Sequence, residues 1–325
     1  MSLIPRSFLN AVVAIGIDIV YEEKTTRHWI ASGFLVSLPE PNNSNYSTVY
    51  LITNKHVFEN VKLVYIRLNS FNGELVRDYP IPLIDEFGHR LYTEHPKDAV
   101  DIVAMQINPN QLNKDGAIWS AFDLDNAALN LSKMMITGVD EGSMVYSLGF
   151  PMNLVDAYKT PVCRYGCISR ITDAFLNPDK ADHYLVDVHS FPGNSGGPII
   201  NKPENIFLQG TYCNSTANLV GILSKNIQYQ EVLVSQQTQQ MRMIQSENSG
   251  LTIVHPVDRI REVVILDWER HRIHIEMVDK TNAMDNSDVV KETDIPEINS
   301  ESGLSGSKQK EDEKSVDNDN TSDAI

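Results

Sequence analysis

Short apolar runs rich in Val, Ile, Tyr and Phe recur from residue 11 to residue 256: AVVAIGIDIV, HWIASGFLVSL, STVYLIT, VKLVYIRLN, DIVAMQI, SMVYSLGF, HYLVDVHS, GPIIN, LVGILS and LTIVHP. Clusters of Asn, Asp, Gly, Pro and Ser separate them, and β-branched and aromatic side chains set between turn formers are the pattern of strands. No helical crossovers alternate with these runs. The pattern therefore predicts an all-β domain built from closed or stacked antiparallel sheets. Behind Pro256 the spacing changes: Val257, Ile260, Val263, Val264 and Trp268 fall near a helical period, which predicts one closing helix.

Residues 108–134 have weak strand character and several turn formers, which marks a linker. The chain is accordingly divided into a first β-unit over 1–115, a linker over 116–134, a second β-unit over 135–256, a helix with its extension over 257–278, and a tail over 279–325. The Gln-rich stretch 228–250 sits between two strong strand candidates and reads as a partly helical insertion.

The 325 residues are 42% hydrophobic and 22% charged, enough for a sizeable core. No apolar run approaches the ~20 residues of a membrane-spanning helix, so no membrane partner is expected. Lys plus Arg number 27 against 43 Asp plus Glu, a net charge of −16 that repels a phosphate backbone and removes nucleic acid from the expected partners. Residues 279–325 hold 13 acidic and 5 basic side chains among scattered apolar ones. Such a segment cannot offset its ordering entropy by burial, and it is expected to be a disordered acidic tail, either a solubilising terminus or a tether.

Cysteine occurs only at 163, 167 and 213. An odd, small number argues against a disulfide framework and for a reducing, cytoplasmic setting. The apolar run 8–20 behind Arg6 is broken by Asp18 and lacks a small-x-small cleavage pattern, so it reads as a first strand and not as a secretory signal. Cys163 and Cys167 have no nearby His pair, and the glycines of 193–197 lack the Lys-Ser/Thr of a phosphate-binding loop. Neither a metal nor any other cofactor is expected.

Candidate chemistry concentrates in Phe191-Pro192-Gly193-Asn194-Ser195-Gly196-Gly197-Pro198, directly before an apolar strand. Glycines on both sides let the backbone turn tightly, presenting Ser195 at a bend where the Gly193 and Ser195 N–H groups can converge on an oxyanion. A serine hydroxyl needs a base, and the base needs an orienting carboxylate. His56 follows the strand Tyr50-Leu51-Ile52-Thr53, and Asp101 opens the strand Ile102-Val103-Ala104-Met105; Asp98 competes for the carboxylate role.

These blocks, with Ala31-Ser32-Gly33-Phe34, Gly149-Phe150-Pro151 and Val220-Gly221-Ile222, resemble the trypsin-like, or chymotrypsin-fold, serine peptidases, in the bacterial type that includes the high-temperature-requirement proteases. The resemblance covers about residues 8–256. It implies two six-stranded antiparallel β-barrels with substrate across the cleft between them, Ser195 as nucleophile, His56 as general base, Asp101 as its orienting group, and an oxyanion hole at Gly193 and Ser195. It also implies a protein or peptide as partner. Asn194 stands where digestive members keep an Asp that pairs with a newly cut N-terminus, so activation by propeptide removal is not implied. The resemblance also implies that His189 falls at the base of the primary pocket, either favouring an acidic substrate side chain or capping a small pocket. Ser224, Lys225 and Asn226 follow the Val-Gly-Ile strand as candidate substrate contacts, bordered by the 228–250 insertion.

The reading that follows is a serine endopeptidase acting through an acyl-enzyme. The alternative is a catalytically silent module that binds a peptide or protein, and a third reading is an enzyme gated by the insertion or by an activating protein partner.

Overall fold

The computed structural model describes residues 4–40, 43–70, 77–155, 160–204, 210 and 214–289. Residues 4–274 form one compact unit; the described part of the second unit, 275–289, is helical. After the short helix α1 (Arg6–Asn10), the strands β1 (Val12–Tyr21), β2 (Lys24–Glu40) and β3 (Asn43–Thr53) run antiparallel. The one-turn helix α2 (Lys55–Phe58) leads to β4 (Leu63–Ser70), β5 (Arg77–Pro82), β6 (Thr93–Glu94) and β7 (Val103–Ile107). The weakly patterned stretch 108–134 carries α3 (Pro109–Lys114), the two-residue strands β8 (Ala117–Ile118) and β9 (Phe122–Asp123), and most of α4 (Leu131–Thr137).

These nine strands make one sheet with the path β5-β4-β1-β2-β3-β7-β6, onto which β8 and β9 pair at β4 and β2. The expected first six-stranded barrel is thus not closed by a ladder. Among the described residues its two edges meet at the isolated bridge between Ile84 and Arg90, flanked by the bonds from Leu91 N–H to the Leu83 carbonyl and from Asp85 N–H to the His89 carbonyl. The physical reason is the length of β6: two residues cannot supply a run of cross-strand bonds.

The second half is the expected six-stranded barrel. Strands β10 (Met144–Gly149), β11 (Val162–Arg170), β12 (Tyr184–Asp187), β13 (Pro198–Asn201), β14 (Leu219–Val234) and β15 (Met241–Pro256) close in the order β10-β11-β12-β15-β14-β13, with helix α5 (Thr172–Leu176) between β11 and β12. The 228–250 stretch, expected to be partly helical, is instead a β-ribbon. There β14 and β15 continue past the barrel, with Val232 opposite Ile244 and Leu233 opposite Met243. Cross-strand packing of β-branched and apolar partners outweighs the helix tolerance of the Gln residues.

Alternation explains the near-continuous apolar runs. Val13, Ile15, Leu35, Val49, Leu51, Val103 and Met105 fill the interior of the first sheet, while Val12, Ala14, Phe34, Val36, Tyr50, Ile52 and Ala104 point the other way. The second set packs with Leu148, Ile200, Leu219 and Ile222 from the outside of the barrel, so both faces of each strand are buried. The expected helix is α6 (Val257–Val289), whose Val257, Ile260, Val263 and Val264 seal this same layer. It passes the expected boundary at 278, and residues 290–325, the rest of the expected acidic tail, lie outside the described residues. No described helix is long and apolar enough to cross a membrane.

Candidate active site

His56 is placed by the end of β3. Asn54 breaks the strand, Val57 and Phe58 are buried in the first-sheet core, and that anchoring leaves the imidazole facing out with its side chain 45% exposed. Asp101 is placed by a similar device, since Val100 and Ile102 on either side are fully buried while its own side chain is 22% exposed. His56 Nδ1 and Asp101 Oδ2 lie 2.7 Å apart, and the His56 backbone N–H donates to Asp101 Oδ1 at 3.2 Å. A carboxylate accepts only, so Nδ1 carries the proton and Nε2 is left as the basic nitrogen. Asp98 is exposed and makes no such bond among the described residues.

Three groups bind the Asp101 carboxylate: both donors of His56 and the Ser224 hydroxyl, which donates to Oδ2 at 2.9 Å. Burial alone would push this carboxyl up. The imidazole, the hydroxyl and the His56 N–H outweigh it and hold the group at about 2. Ser224, expected as a substrate contact, therefore has its side chain turned onto the carboxylate. Its backbone carbonyl accepts from the Ser195 hydroxyl at 3.2 Å, so one residue links Asp101 to Ser195.

The turn that presents Ser195 is stitched to both halves of the unit. Asn194 N–H donates to Phe191 O and Gly197 N–H to Asn194 O, while Gly196 N–H and Gly197 O pair with Leu223 of β14. From β2, the Ser32 N–H donates to Ser195 O at 2.9 Å and the Ser32 hydroxyl donates to Gly193 O at 2.6 Å, while accepting the Phe150 N–H at 2.9 Å. Two glycines are required here. Gly193 has φ +100° and an added Cβ would fall 2.4 Å from Phe150 O; Gly196 has φ +81° and its Cβ would fall 2.2 Å from Ser32 O. Among the described residues the Gly193 and Ser195 N–H groups donate to no protein acceptor, which leaves both available to an oxyanion.

The remaining sequence candidates fall as follows. His189 is exposed, whereas the next residue, Ser190, is buried, with its carbonyl accepting from both Asn226 Nδ2 and Asn248 Nδ2 at 3.0 Å. Asn226 Oδ1 in turn accepts from the Thr252 hydroxyl, so its side chain is spent within the protein. Lys225 is exposed and lines a groove of about 1250 Å³ together with His56, Asp101, Ser224 and His255. The buried hydroxyl of Ser32 and the carboxamide of Asn54, which donates to Asp101 O at 2.7 Å, were not singled out by sequence reasoning. The only signal for Ser32 was its place in the Ala31-Ser32-Gly33 block. Among the described residues no group of three or more His, Cys, Asp or Glu is placed to hold a metal.

The family model described as Trypsin matches residues 27–233, a span that includes His56, Asp101 and Ser195. Similar solved structures include the apo MamO protease domain from Magnetospirillum magneticum, at 16% identity and TM-score 0.41, covering 78% of this chain and 96% of that one. Another is the HtrA-type protease AlgW with a decapeptide, at 14% identity and TM-score 0.42, covering 80% of this chain; the alignment spans 65% of the AlgW chain. No curated protein matches the chain.

Proposed function

The chain belongs to the trypsin family, and from that premise we propose that it is a serine endopeptidase hydrolysing protein or peptide substrates through Ser195, His56 and Asp101. The observation that carries the proposal is the 2.7 Å bond between His56 Nδ1 and Asp101 Oδ2, with Ser224 joining that pair to Ser195. In the reaction the Ser195 hydroxyl swings off the Ser224 carbonyl, gives its proton to His56 Nε2 and attacks the substrate carbonyl. Asp101 stabilises the imidazolium, and the Gly193 and Ser195 N–H groups receive the developing oxyanion. The proton then passes to the leaving amine, and water releases the acyl group. A peptide library digested by the wild type and by Ser195→Ala tests this: cleavage products with the first and none with the second support it, and equal product formation refutes it.

One observation favours gating by a partner. The hydroxyl of Ser195 is engaged away from the base, and the ribbon of β14 and β15 grips the loop before Gly193 through Asn226 and Asn248. A protein that seats on the ribbon would act on that loop.

A further inference from the structure

His255 lies behind the catalytic pair, on β15 opposite Ile222 of β14, and is 2% exposed. Its two ring nitrogens meet two different backbone groups. Nδ1 lies 2.6 Å from the Asp182 carbonyl, which only accepts, so Nδ1 carries the proton. Nε2 is then an acceptor, and it receives the Asp101 backbone N–H at 3.1 Å. The tautomer is fixed from both sides, and burial favours the neutral ring by pushing His255 below the ordinary imidazole range.

We propose that His255 is a positioning residue, holding the Asp101 backbone so that its carboxylate meets His56. Every other polar handle of Asp101 is also taken: its carbonyl by Asn54, its carboxylate by His56 and Ser224. The N–H is the handle nearest the Cα that sets the direction of the side chain. Removing its acceptor would leave a part-buried donor without its protein partner, and the 98–101 loop would shift to satisfy it. A displacement of about 1 Å at such a place is enough to cost roughly a hundredfold in rate. Asp182, the other anchor, is itself tied across to this loop by the Lys97 ammonium at 3.0 Å.

The role in turnover rests on the peptidase reading, so the test has a readout that does not. The His56 Nδ1 proton shared with Asp101 is expected to resonate downfield of the amide envelope in a proton NMR spectrum. Asn at 255 reproduces the donor at the Nδ1 place and lacks an acceptor at the Nε2 place; Gln reaches the Nε2 place with its carbonyl. His255→Gln is expected to keep the resonance, and His255→Asn to displace or lose it while melting as a folded protein. In hydrolysis of a small ester, His255→Asn should lower kcat tenfold or more at nearly constant KM, with most of the loss restored in His255→Gln. Folded variants that behave alike overturn the proposal, as does a wild-type protein without the resonance. If His255→Asn does not fold, a resonance retained in His255→Gln supports the proposal and one lost there overturns it. Fast hydrogen exchange at the wild-type Asp101 amide overturns it whatever the variants do. A resonance present with no ester turnover overturns the peptidase reading alone.

Discussion

At the scale of single residues, Asp101 ties stability to pH. Its carboxyl is held at about 2, below an ordinary value of ~3.9, so it favours the folded state wherever it is ionised. That contribution, about 2 kcal/mol, is fully present above pH ~4 and is lost as pH falls through about 2. Asp101→Asn should therefore be less stable than the wild type in urea unfolding at pH 6, and the gap should close as the pH is lowered to 3 and below; a gap independent of pH contradicts the assignment. Gly196 acts on stability through sterics instead. Ala there meets both a left-handed backbone and a carbonyl oxygen at 2.2 Å, so Gly196→Ala should destabilise by about 1–3 kcal/mol and abolish turnover. A melting temperature equal to that of the wild type would contradict this. What the sequence made legible here was local: Ser195 among its glycines, His56 after one strand and Asp101 before another. Ser32, Asn54 and His255 escaped because they act across 161, 47 and 154 residues of sequence, and no local pattern marks a buried hydroxyl or imidazole as someone else's hydrogen-bond partner.

At the scale of elements, the ribbon of β14 and β15 is the feature the sequence described least well. Its Gln content suggested partial helix, yet the alternating Val232, Val234 and Ile244 with their cross-strand partners form strands. A two-stranded ribbon is marginal in water, and this one exposes Val232, Leu233, Met243 and Ile244 at 43–57%. Its base, however, is coupled to the site through the shared Ser190 carbonyl. Losing one of two donors leaves the carbonyl satisfied; losing both frees it. Asn226→Ala and Asn248→Ala singly should thus change ester turnover by less than about threefold, and the double variant should lower kcat by tenfold or more. Additive effects of the two substitutions would show that the carbonyl is not their common point.

At the scale of the whole molecule, the all-β class, the closed second barrel and the closing helix were legible because period-2 runs between turn formers are strong signals. Closure of the first sheet was not, since it depends on whether the short segment before β7 pairs along its length, and only Thr93 and Glu94 do. The layer shared by the two sheets explains how residues from both converge. Phe34, Ile52, Ile102 and Ala104 from one side pack with Leu148, Ile200 and Ile222 from the other, close in sequence to the helical turn that carries His56 and the loops that carry Asp101 and Ser195. A nucleophile made by such convergence is measurable directly. Treated with a fluorophosphonate and examined by intact mass and peptide mapping, the wild-type chain should gain one adduct on Ser195, with the rate of labelling reduced at least a hundredfold in His56→Ala and no adduct in Ser195→Ala. Labelling that falls elsewhere, or that is indifferent to His56, would contradict a Ser195 nucleophile activated by this imidazole.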